Sequence, residues 1–241
     1  MKLMTETIHN LDYEQLSKLF WQQGFIVIED FFDAKIMSQS QSCIMSHFGN
    51  EPEYQHDQSF IDLSKTEVIP WFPQEEGDSV FDTIENDLCL KKLTRKVLGE
   101  EWKNQYCMVM FSKKGSIGQA WHQDCPPENS TQFNLNRLVY SMDVDDDLGG
   151  QVYIRPGSHR FGALTNGPLF EDFDDQIVLS PKKGTLVLLH GHCWHRIGEL
   201  KGDYRVSTNY RAAPQAADDS ITDICVYRNM RYQFSTAKVV G

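Results

Sequence analysis

The first hundred residues carry apolar side chains at the three- and four-residue spacing of helices that bury one face. Two helices are predicted, each between an aspartate that can cap its start and a glycine that can end it: Asp12 with Gly24, and Asp33 with Gly49. The apolar run 25–28 predicts a strand, and a weaker helical pattern covers residues 84–98. This part of the chain is therefore expected to be mostly helical.

From residue 105 onward the pattern changes to short runs rich in β-branched and aromatic residues, separated by turn residues. The predicted strands are 106–111, 138–144, 152–154, 176–179, 185–190 and 204–211. Short strands at this spacing indicate a β-sandwich or barrel. Residues 51–82 show no clear period, so they are expected to form a long loop over one mouth of the barrel, and a packed surface loop is favoured over a moving lid.

Composition narrows the possible partners. The 241 residues carry a net charge of -11, which argues against binding to nucleic acid or to anionic membranes. The first 14 residues lack the apolar core of a signal peptide, and no apolar run approaches a membrane span, so a cytoplasmic location is expected. Six cysteines without a Cys-x-x-Cys pair are expected to be free thiols.

The chemistry centres on the segment Trp121-His122-Gln123-Asp124. Alternate residues on a strand point the same way, so His122 and Asp124 can present an imidazole and a carboxylate to one metal ion. A histidine two residues before an aspartate also occurs by chance, and the pair alone is weak evidence. The rest of the chain must supply the remaining groups of a site.

A second group of histidines lies at and just after the apolar strand predicted over 185–190. His190, His192 or His195 could complete a set of two histidines and one carboxylate, which is typical of non-haem Fe(II) oxygenases. Arg205 and Ser207 follow on the next predicted strand, two residues apart and on one face. A guanidinium with a neighbouring hydroxyl can bind a carboxylate, which suits a dicarboxylate cosubstrate beside iron.

Several short blocks occur in a specific order along most of the chain. They are Gly24-Phe25-Ile26-Val27, Lys113-Lys114-Gly115, Trp121-His122-Gln123-Asp124, Pro156-Gly157-Ser158-His159-Arg160, and His190-Gly191 leading to Trp194-His195-Arg196. In this order they resemble the phytanoyl-CoA dioxygenase family of Fe(II)- and 2-oxoglutarate-dependent oxygenases. The ordered set is far more specific than any one block.

The resemblance implies a mainly β fold with flanking helices, built on a double-stranded β-helix of the jelly-roll or cupin-like kind. Residues 1–241 are expected to form a single dioxygenase domain, with a helical part over about 1–100 and the β-helix core over about 105–241.

The resemblance also implies a role for individual residues. His122, Asp124 and His195 match the family's iron ligands, which selects His195 over His190 and His192. Arg205 matches the family's cosubstrate arginine, and Ser207 would assist it. The spacing of the family adds Gln119 and Lys113 as further cosubstrate contacts. Fe(II), 2-oxoglutarate and O2 would then hydroxylate a small molecule and release succinate and CO2, with desaturation or cyclisation as alternatives.

Other functions stay open at this point. One is a cupin-like metal-dependent isomerase or hydrolase that does not use 2-oxoglutarate, and another is a catalytically silent binding protein on the same scaffold. Cys125 and Cys193 flank the proposed ligands and could form a zinc site, which the ordered set disfavours. An acyl-CoA substrate would need a basic rim around the site to bind its phosphates. The chain offers only a modest set of lysines for such a rim, namely Lys113, Lys114, Lys182 and Lys183. A small metabolite or natural-product intermediate is at least as well supported as the substrate.

Overall fold

Aspartate side chains cap five helices in the computed structural model, which describes residues 11–49, 56–77 and 79–240. Asp12 and Asp33 accept hydrogen bonds from backbone N–H groups of the first turns that follow them, as predicted. Gly24 ends the first helix in the left-handed conformation, with φ +84°, which glycine adopts without steric cost. Asp57, Asp87 and Asp218 cap later helices in the same way.

The helices of the described residues are α1 (Tyr13–Gln23), α2 (Ala34–Phe48), α3 (Gln58–Ser64), α4 (Ser79–Glu85), α5 (Leu88–Leu98) and α6 (Asp219–Thr222). The strands are β1 (Phe25–Ile28), β2 (Ile69–Trp71), β3 (Trp102–Lys113), β4 (Gln119–Gln123), β5 (Leu135–Val139), β6 (Val152–Ile154), β7 (Ile177–Leu179), β8 (Leu186–His190), β9 (His195–Ile197), β10 (Tyr204–Pro214), β11 (Ile224–Tyr227), β12 (Met230–Gln233) and β13 (Lys238–Val240).

Two antiparallel sheets face each other. One sheet has the strand order β1-β8-β5-β10-β3-β2, and the other has the order β13-β12-β11-β4-β9-β6-β7. Neighbouring strands are mostly distant in sequence, and β10 lies between β3 and β5. This arrangement confirms the predicted double-stranded β-helix with flanking helices.

The six-stranded sheet has two chemically different faces. On β3, Cys107, Val109 and Phe111 point outward into the largest apolar core, which they share with the helices α1, α2, α4 and α5. Met108 and Met110 alternate with them and point between the sheets. Strand β8 is buried along its whole length because Leu186 and Leu188 join the helical core while Val187 and Leu189 face the opposite sheet.

Several sequence predictions need correction. The strand predicted over 138–144 instead spans Leu135–Val139, because the buried polar residues Asn136 and Arg137 interrupt the apolar pattern at its start. The helical pattern over 84–98 divides into α4 and α5, and Asp87 caps the second.

The predicted loop 51–82 carries α3 and β2, and residues 51–55 and 78 lie outside the described residues. The strands β2, β9, β11, β12 and β13 were not predicted. All six cysteines fall in the described part of the chain, and none of them forms a disulfide. Among the helices described, none is both long enough and apolar enough to cross a membrane.

A buried ion pair links the sheet to the helical layer. The Arg137 side chain is fully buried, its Nε donates to the Tyr210 carbonyl at 2.5 Å, and its Nη2 lies 3.5 Å from Glu85 Oε1. The same Nη2 donates to Asn104 Oδ1 at 2.7 Å. Strand β5 is thereby fixed to β3, β10 and α4 by one guanidinium.

Replacing Arg137 with methionine is expected to lower the free energy of unfolding by about 3–5 kcal/mol, because it leaves the Glu85 carboxylate buried without its partner. Arg231→Met is the matched control. Arg231 pairs with Glu128 at the surface, so its loss should cost less than about 1 kcal/mol. Urea unfolding of both variants measures the difference, and equal losses would contradict a structural role for the buried pair.

Candidate metal and cosubstrate site

The pairing of β4 with β9 positions the two histidines. His122 and His195 are direct cross-strand partners, and their ring centroids lie 4.0 Å apart. Asp124 follows the end of β4, where its backbone N–H donates to the Gly191 carbonyl at 2.7 Å. The three side chains predicted as metal ligands are therefore brought together.

Their ligand atoms converge on one point. His122 Nε2 lies 3.8 Å from Asp124 Oδ1, and His195 Nε2 lies 3.5 Å from Asp124 Oδ2. All three ligand atoms lie within 4.8 Å of one another, and all three side chains are buried. In the described part of the chain, no other group of three or more His, Cys, Asp or Glu residues meets this condition.

Hydrogen bonds fix the tautomer of both imidazoles. His122 Nδ1 lies 2.9 Å from the Ala120 carbonyl oxygen, and His195 Nδ1 lies 2.9 Å from the Cys193 carbonyl oxygen. A carbonyl oxygen can only accept, so each Nδ1 carries a proton, and in the neutral form of either imidazole the lone pair lies on the Nε2 atom that faces Asp124. Two lone pairs facing a carboxylate repel one another, and a cation between them removes that repulsion. The donor set fits a divalent metal ion.

The Asp124 carboxylate is held by its own hydrogen bonds. Asn136 Nδ2 donates to Oδ2 at 2.7 Å, and Arg211 Nη2 lies 3.2 Å from Oδ1. Burial alone would raise the pKa of Asp124, but the Arg211 guanidinium and the two imidazoles outweigh it and lower the pKa to about 2. The carboxylate is therefore ionised at neutral pH.

Burial has the opposite effect on His122, whose charged form is the protonated one. Desolvation lowers the pKa of His122 to about 3, and the neighbouring His195 imidazole adds to the effect. The imidazole is neutral at physiological pH and free of a proton at Nε2. The pair His122 and Asp124 thus rests in the protonation state that metal binding needs.

A cavity of about 350 Å³ opens beside the three ligands, between the two sheets. Its floor is the inner face of β10, from which alternate residues project into it. These are Arg205, Ser207, Asn209 and Arg211. The opposite wall includes His122, Asp124 and His195.

Arg205 is a buried cation without a counter-charge. Its side chain is 4% exposed, and no carboxylate of the described residues pairs with it. Nη1 donates to Ser207 Oγ at 3.3 Å, while Nε has no hydrogen-bond partner. Gly150 packs against its stem, since a Cβ there would lie 2.4 Å from Arg205 Cδ. An anionic ligand that enters the cavity would supply the charge and the hydrogen bonds that this buried guanidinium lacks.

The other predicted cosubstrate contacts lie in different places. Gln119 lines the cavity, and its Nε2 donates to the Tyr227 hydroxyl at 3.0 Å. Lys113 is exposed at the end of β3 and does not line the cavity. The structure thus brings Arg205, Ser207 and Gln119 to one cavity and leaves Lys113 outside it.

The remaining histidines have other contacts. His190 stacks on Phe133 with ring centroids 4.3 Å apart, and His192 Nε2 lies 3.0 Å from the Gln132 carbonyl oxygen. His159 packs against Gly24, and its Nε2 lies 3.2 Å from the Trp21 carbonyl oxygen. Cys125 and Cys193 do not belong to the ligand group.

Three site residues were missed in the sequence. Asn136 and Arg211 contact the Asp124 carboxylate, and Tyr227 stacks on the His122 ring with centroids 5.1 Å apart. The alternation of polar residues along β10 carried a signal for Arg211, which shares a face with Arg205 and Ser207. The contacts of Asn136 and Tyr227 follow from strand pairing and have no local signal.

This chain is similar in sequence to a curated protein and in fold to several solved structures. The curated relative dioxygenase cdmA of Talaromyces verruculosus is 24% identical over 209 residues, covering 80% of this chain and 70% of that protein. A crystal structure of the non-haem α-ketoglutarate-dependent epimerase SnoN from nogalamycin biosynthesis superposes with a TM-score of 0.67 at 16% identity, covering 90% of this chain and 85% of that one. HygX from Streptomyces hygroscopicus, with nickel and 2-oxoglutarate bound, gives a TM-score of 0.67 at 17% identity, covering 86% and 88%.

At these identities the structural matches establish a common fold. The family assignment rests on the sequence: the model of the phytanoyl-CoA dioxygenase family (PhyH) matches residues 20–204. That match spans β4, β9 and the candidate ligands His122, Asp124 and His195, and together with the geometry of this group it supports the general reaction of an iron- and 2-oxoglutarate-dependent oxygenase. The chain belongs to the phytanoyl-CoA dioxygenase family.

Proposed function

We propose that this protein is a dioxygenase that uses Fe(II), 2-oxoglutarate and O2 to hydroxylate a small, mostly apolar molecule, with release of succinate and CO2. The observation that carries the proposal is the buried Arg205 guanidinium, which lacks a carboxylate partner and lines the same cavity as the metal-binding group. A metal site and an anion site in one cavity are what a chelating dicarboxylate requires.

His122, Asp124 and His195 would hold the iron. Bound Fe(II), with 2-oxoglutarate and O2, would supply the oxidising chemistry that hydroxylation of the substrate requires. The protein contributes orientation and shielding. Asn136 and Arg211 hold the Asp124 carboxylate, and the two backbone carbonyls hold the imidazoles. The burial of all three side chains would shield the bound iron from bulk water.

Arg205 and Ser207 would bind the far carboxylate of 2-oxoglutarate. An isolated buried guanidinium is costly, and a carboxylate ligand would offset that cost through charge-assisted hydrogen bonds. This argument disfavours a cupin-like isomerase or hydrolase, which has no need of such a clamp. The intact ligand group equally disfavours a silent binding protein.

The wall on the β2 and β3 side supports an apolar substrate. Val68, Pro70, Phe72 and Met108 line it, together with Phe234 from the turn after β12. Residues 66–72 belong to the segment expected to cover one mouth of the barrel, and in the structure this segment forms part of the cavity wall. The segment therefore acts as a fixed wall in this proposal.

Charges on the cavity wall argue against an acyl-CoA. Asp223 lines the cavity, and its carboxylate accepts from the Ser235 backbone N–H at 2.9 Å. The cationic side chains of the wall, Arg205 and Arg211, are assigned to the cosubstrate and to Asp124. None of Lys113, Lys114, Lys182 and Lys183 lies on the described wall, so the basic rim that CoA phosphates would require is not formed there. A small uncharged metabolite or natural-product intermediate fits better.

The experiment that tests the function is an anaerobic titration of the apo-protein with Fe(II) and then 2-oxoglutarate, monitored by the visible charge-transfer band of the chelate. The wild-type protein should develop the band, and Arg205→Met should require at least tenfold more 2-oxoglutarate because it loses a charge-assisted pair. Arg95→Met is the control, since Arg95 pairs with Glu100 at the surface. A wild-type protein that binds iron without developing the band would contradict the proposed function.

The metal ligands are tested separately. His195→Ala should lose most Fe(II) binding because Nε2 of this residue is one of three converging ligand atoms. His192→Ala should retain it, because the His192 Nε2 is engaged with the Gln132 carbonyl oxygen. Isothermal titration with Fe(II) under anaerobic conditions compares the two variants, and loss of binding in His192→Ala alone would move the third ligand to that position.

A further inference from the structure

A second unpartnered polar group lies at the Arg205 end of the cavity. The Tyr140 side chain is 0% exposed, its hydroxyl has no hydrogen-bond partner, and the residue lines the cavity wall. A buried hydroxyl without a partner is unfavourable, so a fold that retains one at a ligand cavity calls for an explanation.

Strand pairing places this hydroxyl beside Arg205 and Ser207, the residues proposed to bind the far carboxylate. Val139 is the register partner of Thr208, so the continuation of β5 brings Tyr140 next to Ser207. The guanidinium carbon of Arg205 lies 5.8 Å from the centroid of the Tyr140 ring. The two unsatisfied groups, Arg205 Nε and the Tyr140 hydroxyl, therefore belong to one corner of the cavity.

The chemistry of the corner matches a carboxylate. Each carboxylate oxygen accepts two hydrogen bonds, and Arg205 with Ser207 leaves part of that capacity unused. Burial raises the pKa of Tyr140, and the charge of Arg205 together with a side-chain contact to it opposes that effect without reversing it, so the phenol stays protonated and can donate at neutral pH. No apolar group could fill this role.

We propose that Tyr140 is a third donor to the far carboxylate of 2-oxoglutarate, after Arg205 and Ser207, and that it sets the preference for a dicarboxylate cosubstrate. This inference rests on the proposed function. The sequence resemblance did not include this residue, and its position becomes apparent only from the pairing of β5 with β10.

The test compares two 2-oxo acids in the anaerobic Fe(II) titration. One is 2-oxoglutarate, and the other is 2-oxopentanoate, which keeps the chelating end but lacks the far carboxylate. Tyr140→Phe should weaken 2-oxoglutarate binding roughly tenfold or more, the loss expected for one hydrogen bond to a charged group. Binding of 2-oxopentanoate should be unchanged.

Tyr210→Phe is the matched control. Tyr210 is also fully buried on a strand of the same sheet, but it belongs to the helical core and does not line the cavity. This variant should bind both 2-oxo acids as the wild-type protein does.

Thermal unfolding distinguishes a role of Tyr140 in cosubstrate binding from a purely structural role. Because the Tyr140 hydroxyl has no protein partner, Tyr140→Phe should leave the Tm of the apo-protein unchanged or raise it. The rise in Tm produced by Fe(II) with 2-oxoglutarate should shrink in the same variant.

The possible failures are distinguishable. If the wild-type protein binds 2-oxoglutarate and Tyr140→Phe binds it equally well, the role of Tyr140 is overturned and the oxygenase function stands. Equal weakening for both 2-oxo acids, or a lower Tm of the apo-variant, would also overturn it, because the hydroxyl would then act at the metal or in packing. A wild-type protein that binds neither acid would refute the proposed function itself.

Discussion

Antiparallel pairing of β4 with β9 places His122 directly across from His195, and the rest of the site is arranged around that contact. On its other side β4 pairs with β11, which brings Tyr227 against the same histidine. A slip of one residue in either pairing would turn His122 away from the cavity. Gly118 permits the close approach before β4, since its φ is +98° and a Cβ would lie 2.2 Å from the Ile197 carbonyl oxygen.

The two arginines of β10 differ in their electrostatic partners. Arg211 pairs with Asp124 and so compensates the charge of the carboxylate that belongs to the candidate metal site. Arg205, three strand repeats away on the same face, has no carboxylate and keeps its charge available. One strand therefore presents a compensated cation near the metal site and an uncompensated cation where a dicarboxylate would end.

Stability and function are separated by the two faces of the six-stranded sheet. Its outer face supports the large apolar core with α1, α2, α4 and α5, while its inner face carries the polar residues of the cavity. Burying Asn136, Asn209 and Arg211 would be costly in isolation, and the network in which they bond one another and Asp124 limits that cost. The apolar layer outside allows the sheet to retain polar groups inside.

The sequence by itself determined the elements whose signals are local. Helix caps at Asp12 and Asp33, the apolar strand at 185–190 and the pair His122 and Asp124 follow from neighbouring residues, and the family resemblance selected His195 and Arg205. Tertiary structure alone decided the start of β5, where buried polar residues obscure the apolar pattern, and the contacts of Tyr140, Arg211 and Tyr227. Those contacts depend on pairing between strands that are distant in sequence, and a hydrophobic pattern carries no information about which strands become neighbours.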